Sequence, residues 1–386
     1  MRSESWLKSA DRALTLAAEQ IKLIRAVTPA NAESELALLE RAFRRGSPRP
    51  PRWVYDGSAV SAELCHALEK LAGFLEGLST LGAVYAARAR ELFVEAEIID
   101  SVGTARLRAR AEERFIPRTE EALQDLAQAD ELATAWTLSE WESQEPCAAE
   151  DRVKSCDIDN PSSLISRMSR EAGRQRLPVR VVLQPGLASL AATGDSVILV
   201  APGKWVARRD VERTVLHEIA GHALPRARAG GEELGIFALG SARGIDDQEG
   251  RALLIEESAG FLDAGRRREL GLRHLAARAT LEGQCFIDVV GLLRSRAATV
   301  EQAVRIAARV QRGGQGTGGL AREVVYLPAY LRVRRAMCGP LAAVVERMMA
   351  SGRIAVDVAP LLAKTANRAI ERTVSLEKDG VCDLSA

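Results

Sequence analysis

Val215-Leu216-His217-Glu218-Ile219-Ala220-Gly221-His222 places two of the chain's four histidines five residues apart, with a glutamate directly after the first. The residue types are those of the metal-binding helix pattern H-E-x-x-H, lengthened by one position. On an α-helix five residues carry the chain about 140° round the axis, so two imidazoles at that spacing cannot share an ion. One extra residue in the turn, a π-bulge, returns them to one side, and such bulges favour functional sites. Gly221 is permissive enough to absorb that distortion.

The neighbouring residues predict a helix. Asp210 is a candidate N-cap, Val211, Val215, Leu216 and Ile219 form an apolar stripe, and Pro225 is placed to stop the helix. A plainer reading needs no metal: one histidine is buried, the other exposed, and Glu218 pairs with His222 four residues on. A zinc site takes a third protein ligand and leaves one position open. His66 and His274 read as surface or core histidines, and no cysteine lies near the motif. The acidic candidates lie in Asp246-Asp247-Gln248-Glu249-Gly250-Arg251-Ala252 and its continuation to Glu256. Asp246 or Asp247 can cap a second helix, with Glu249 in its first turn and Glu256 seven positions on along the same face. Both remain open as the third ligand.

Gln248-Glu249-Gly250-Arg251-Ala252 resembles the Q-E-G-L-A signature of the flavohaemoglobin expression-modulating QEGLA-motif proteins, a family that includes the microtubule-associated tyrosine carboxypeptidases and uses an H-E-x-x-x-H helix. Further segments are similar: Thr28-Pro29-Ala30-Asn31 with Glu35 and Phe43, Pro50-Pro51-Arg52-Trp53-Val54-Tyr55, Arg309-Val310-Gln311-Arg312-Gly313, and Gly318-Gly319-Leu320-Ala321-Arg322-Glu323-Val324-Val325-Tyr326-Leu327. The resemblance implies Zn2+ held by His217, His222 and Glu249, with Glu218 as general base. A glutamate opening an E-G-x-A helix also resembles the third ligand of gluzincin peptidases. Glu249 lies 32 positions after His217, ample for a second helix to fold back. The chain departs from the pattern at Arg251 for leucine, Arg322 for lysine, and Leu320-Ala321 for phenylalanine and threonine.

These residue types suit peptide hydrolysis. Zinc polarises a carbonyl and brings the pKa of water to roughly 7. Glu218 can take that water's proton and pass it to the leaving amine. The oxyanion needs a further donor, for which Tyr326 is the candidate. Arg309, Arg312 and Arg322 are candidates for a substrate carboxylate, as a carboxypeptidase requires.

Composition agrees with a globular enzyme. Hydrophobic residues make up 47% and charged residues 27%, and 53 basic residues balance 52 acidic ones. That balance gives no sign of a nucleic-acid or membrane surface. The basic runs, Arg266-Arg267-Arg268 among them, read as solvated helix faces. Six cysteines form no C-x-x-C pair, and the nearest two, Cys147 and Cys156, would be bridged only in an exported protein. No signal peptide or membrane span is read, so a cytoplasmic location with reduced thiols is expected.

Helical patterns cover residues 5–27, 32–45, 58–98, 104–114 and 116–140, with a polar loop at 142–160. Short β-branched runs at Val179–Leu183 and Val197–Val200 suggest a hairpin or meander before the metal helix. The glycine-rich stretch 313–319 lacks a phosphate-loop ending and reads as a flexible connection, whose mobility lets Arg322 and Tyr326 close over a substrate. The expected fold is α+β, predominantly α-helical, with an N-terminal helical region (1–170) and a zincin-like, gluzincin catalytic lobe holding a small β-sheet (171–386). The expected function is a zinc metallopeptidase that removes the C-terminal residue of a peptide or protein. The alternatives are a zinc hydrolase acting on a small amide or precursor peptide, and a non-catalytic metal-binding regulator. The oligomeric state is not legible.

Overall fold

Side-chain caps divide the helical patterns into their elements. The pattern over 58–98 breaks at Gly77-Leu78-Ser79, where the Ser79 hydroxyl accepts from the Gly82 N–H and starts a new helix, as Ser61 does with Leu64. A computed structural model describes residues 5–57, 59–139 and 151–365. In chain order, the first part comprises α1 (Ser5–Gln20), α2 (Leu23–Ala26), α3 (Ala32–Arg44), α4 (Ala62–Glu76), α5 (Thr80–Asp100), α6 (Arg106–Phe115) and α7 (Glu120–Ser139). Strand β1 (Arg152–Lys154) and α8 (Leu164–Arg174) lead into β2 (Arg180–Leu183), β3 (Ala191–Thr193), β4 (Val197–Val200) and β5 (Trp205–Ala207). There follow α9 (Arg208–Leu216), a π-helix (His217–Ala223), α10 (Leu224–Ala229), α11 (Ile236–Leu239), α12 (Gly244–Ser258) and α13 (Ala264–Leu281). The last elements are α14 (Phe286–Ser295), α15 (Val300–Val310), a 3-10 turn (Arg322–Val325), α16 (Tyr326–Met337) and α17 (Ala342–Ser351). The fold is α+β and mostly helical, as expected.

The strands depart from the expected hairpin or meander. β2 runs parallel to β4, from Arg180 opposite Val197 to Leu183 opposite Val200. β3 lies antiparallel on the other flank of β4, giving the order β2-β4-β3. The connection from Leu183 to Val197 is long enough to cross over and supply the edge strand, so the two β-branched runs need not pair head to tail. β1 pairs with β5 inside the stretch expected to be loop. Residues 142–150 of that stretch, with Pro146 and Cys147, lie outside the described residues, as does Cys382. Cys65, Cys156, Cys285 and Cys338 are free. No helix among the described residues is long and apolar enough to cross a membrane.

Apolar burial ties the two ends of the chain together. One cluster joins Leu14, Leu75, Tyr85 and Leu92 to Phe237, Met349 and Leu362. A second joins Leu39, Trp53 and Leu107 to Phe286, Val304 and Val324. Both clusters draw residues from either side of residue 170. A smaller cluster, from Val153 and Met168 to Ile198, Val215 and Ile219, packs the sheets and α8 against the helix that carries His217 and His222.

The N-terminal motifs act as a clamp. Asn31 donates to Arg52 O and accepts from the Val54 N–H, while Glu35 accepts from Arg49 and from the Arg52 N–H. Tyr55 then donates to Gly314 O at 2.8 Å. Gly103 N–H bonds Gly313 O, and Phe286 N–H bonds Gly316 O. The glycine stretch is thus pinned on several sides, and the expected mobile connection is a packed one.

Helices α9, the π-helix and α10 run on without a break, and α12 packs across them. Ala207 is the N-cap residue, so Asp210 sits in the first turn and not at the cap. Pro225 does not stop it but lies in the first turn of α10. Gly221 serves a different end from the one expected: a Cβ there would lie 2.6 Å from Ala252 Cβ, so its role is close approach of α12. Gly250 does the same on the opposite side, where a Cβ would meet Ala329 C and O at 2.5 Å. Replacing Gly250→Ala forces α12 and α16 apart and lowers the thermal unfolding midpoint, with a cost of about 1–3 kcal/mol; an unchanged midpoint contradicts this packing.

Candidate metal centre

The π-helix satisfies its backbone five residues apart, with the Leu224 N–H bonded to Ile219 O. That wider turn puts His217 and His222 on one side, their Nε2 atoms 3.2 Å apart and their rings 5.0 Å centre to centre. The carbonyl of Ala220 faces a different problem, because the residue five on is Pro225, which has no N–H. Arg251 supplies the donor, with Nη1 3.1 Å from Ala220 O, while its Nε and Nη2 grip Glu346. The departure from leucine at this position therefore supports the widened turn.

Glu249 reaches the imidazoles from the first half of α12. Its Oε2 lies 3.5 Å from Nε2 of both His217 and His222. Its Oε1 is held by Arg322 at 3.3 Å. Burial works against the charged carboxylate, but the imidazole of His222, hydrogen bonds from both histidines and Arg322 hold Glu249 well below its usual range. Glu256, two turns further on, meets the other face of His217: its Oε1 is 2.7 Å from Nδ1. The two glutamates thus take different places around His217. Glu249 joins the cluster, and Glu256 orients His217 from behind.

Glu256 is fully buried and bonded in turn to Nε and Nη2 of Arg266. Burial opposes its charge, yet Arg266 and His217 bring its pKa down to about 2. Burial would depress His217, but hydrogen bonds with Glu249 and Glu256 outweigh it and push the imidazole up to about 10. The pocket is thus rich in negative charge directed at the imidazoles.

The donor set fits a tetrahedral zinc ion. Bonds of about 2.0–2.1 Å at tetrahedral angles separate neighbouring ligand atoms by about 3.3–3.4 Å. The three donor separations here are 3.2, 3.5 and 3.5 Å. Glu256 on Nδ1 fixes the tautomer that leaves Nε2 of His217 free to coordinate, an arrangement common around metal-bound histidines. Another group among the described residues, Cys65, Glu97 and Asp100, is also close enough for an ion. There, however, Glu97 pairs with Arg110 and Asp100 accepts from the Val60 N–H.

The remaining expected site residues divide into two layers. Glu218 is buried, and its Oε2 accepts from the Thr193 hydroxyl at 2.7 Å. Thr193 ends the edge strand β3, so the sheet holds the carboxylate beside the cluster. Tyr326 opens α16, and burial together with nearby Glu249 pushes its phenol up. Arg309 and Arg312 stand further back, with Arg309 Nε 2.6 Å and Arg312 Nη2 3.4 Å from Glu323 Oε1. They are engaged by a protein carboxylate, whereas Arg322 reaches the cluster itself. His66 is exposed, and His274 is a core residue bonded to Asp130 at 2.7 Å. Arg266 and Arg268, read as solvated, are buried. Thr193 had no sequence signal, since Ala-Ala-Thr is too short and too small to mark a strand.

The family model for microtubule-associated tyrosine carboxypeptidases matches residues 40–375. The chain belongs to that family. The match spans the Arg49–Tyr55 side of the clamp, the π-helix, α12 and the Arg322–Tyr326 segment, so every residue of the cluster lies within the tyrosine carboxypeptidase region. No curated protein sequence matches the chain. A solved structure of a Colwellia psychrerythraea protein, provisionally described as a lipoprotein, has 10% identity and a TM-score of 0.42, and the match covers 80% of this chain. This chain spans 66% of that one, under two thirds of its length, and a likeness at this level carries no argument.

Thr193→Val removes the hydroxyl that orients Glu218 and lowers turnover about 10- to 100-fold, from the worth of a charge-assisted hydrogen bond. Thr193→Ser retains most activity, and both variants keep their metal content; equal rates for valine and threonine would refute the orienting role. Glu256→Gln weakens metal affinity about 10- to 100-fold, measurable by competition with a chelator.

Proposed function

We propose that the chain is a zinc-dependent metallopeptidase that removes the C-terminal residue from a peptide or protein. The observation that carries this reading is the set of three donor atoms at tetrahedral separations beside a buried, oriented glutamate. His217, His222 and Glu249 would hold the metal, and the arrangement of a π-widened histidine helix crossed by a second helix with the third ligand supports a gluzincin-like lobe. Bound zinc supplies Lewis acidity, which polarises the scissile carbonyl and acidifies water.

The chain's own residues supply the rest. Glu218, its carboxylate fixed by Thr193, accepts a proton from the attacking water and returns it to the departing amine nitrogen. Tyr326 donates its phenolic hydrogen to the oxyanion as the carbonyl carbon becomes tetrahedral. Arg322 holds Glu249 from the side away from the imidazoles and so keeps Oε2 aimed at them. β3, at the edge of its sheet, offers unpaired backbone groups to an extended peptide. A regulator without catalysis has no use for a buried Glu218 fixed by a neighbouring hydroxyl.

Glu218→Gln keeps the metal and loses about 10²–10⁴-fold in turnover, the usual worth of a general base. His222→Ala loses the metal, read by elemental analysis of the purified protein. Activity that survives Glu218→Gln, or full metal content in His222→Ala, contradicts the assignment.

A further inference from the structure

Beside this centre two arginines converge on one exposed carboxylate. Arg226, one turn after His222, donates from Nη1 to Asp195 Oδ1 at 3.3 Å. Arg353, just beyond α17, has its Nη1 3.5 Å from the same oxygen. Asp195, in the turn between β3 and β4, is 75% exposed, while each arginine side chain is only 18% exposed. The Nε–H of each arginine is buried and has no hydrogen-bond partner among the described residues. Arg353 also donates from Nη2 to Ala238 O.

The charges do not balance. Two guanidiniums share one counter-ion that water screens on its far side, and burial together with Arg226 pushes Arg353 down to about 10. Burial lowers Arg226 as well, and Glu218 and Glu249 are near enough to act on it electrostatically. The other arginines around the centre differ in this respect. Arg309 and Arg312 answer to buried Glu323, and Arg322 to buried Glu249. Buried donors without acceptors are rare in folded proteins. A guanidinium presents paired N–H groups that match a carboxylate, and it stays charged when partly desolvated. Asp195 also lies two residues beyond Thr193, the last residue of the strand that positions Glu218, so a ligand carboxylate here is close to the proposed reaction.

We propose that Arg226 and Arg353 form a receptor for a carboxylate of the peptide substrate, with Asp195 as the counter-ion that this carboxylate displaces. The inference deepens the peptidase reading and rests on it. The carboxylate is either the terminal one or an acidic side chain, and both have the same binding chemistry.

The test uses the full chain carrying Glu218→Gln, immobilised and exposed to a fixed-length peptide library. The library is made with free C-termini and again as amides, each with and without Asp and Glu; retained peptides are read by mass spectrometry. Carboxylate-bearing peptides are expected to be enriched about tenfold or more over neutral ones. Enrichment that follows the free C-terminus assigns the terminal carboxylate, and enrichment that follows Asp or Glu in the amides assigns a side chain. Arg226→Gln and Arg353→Gln each remove the enrichment, whereas Asp195→Asn, at an exposed turn, increases it. Enrichment that survives both arginine substitutions, or that Asp195→Asn leaves unchanged or weakens, overturns the proposal. Hydrolysis persisting in Glu218→Gln would instead count against the peptidase reading while leaving the binding result intact.

Discussion

The five-residue hydrogen bond from the Leu224 N–H to Ile219 O is the constraint on which the centre depends. An α-helical turn would aim His217 and His222 about 140° apart, and no rotamer change recovers that. A widened turn leaves carbonyls poorly served and thins the packing, and the surrounding residues address both defects. Arg251 reaches across from α12 to Ala220 O, whose donor Pro225 cannot supply. Gly221 lets α12 come close enough for Arg251 and Glu249 to reach the turn. Removing these supports favours the ordinary helix and disperses the histidines.

Charge is arranged in shells around that turn. Glu249 and Glu256 face His217 from its two ring nitrogens, and each is backed by an arginine, Arg322 and Arg266 respectively. Burying such charges is tolerable only when partners and geometry compensate the lost hydration. The compensation also fixes direction: Glu249 gives Oε1 to Arg322 and Oε2 to the imidazoles, while Arg266 grips both oxygens of Glu256 and leaves Oε1 shared with His217. The same logic makes Arg226 and Arg353 conspicuous, because their shared partner Asp195 is exposed and weakly held.

What the sequence revealed was local. The His217–His222 spacing demanded a bulge, and the helical period placed Glu249 and Glu256 on one face of α12; both are short-range properties of a helix. Which glutamate meets which nitrogen depends on how α12 rotates against the π-helix, and that is set by Gly221, Gly250 and their neighbours across the contact. Thr193 and Asp195 were illegible because their positions follow from the β2-β4-β3 order, a crossover where a hairpin or meander was expected. Arg266 looked solvated in an arginine-rich run, yet it is buried by the two glutamates it pairs with, Glu256 and Glu269. The glycine stretch misled for a related reason: composition suggests mobility, while Tyr55 and Gly103, far off in sequence, pin it.

X-ray absorption at the zinc edge of the purified, metal-loaded protein tests the central claim most directly. The account predicts a low-coordinate shell of two imidazole nitrogens and carboxylate oxygen at about 2.0–2.2 Å, with the outer-ring scattering that imidazoles produce. A shell containing sulfur, or one built of oxygens with no imidazole signature, would contradict it.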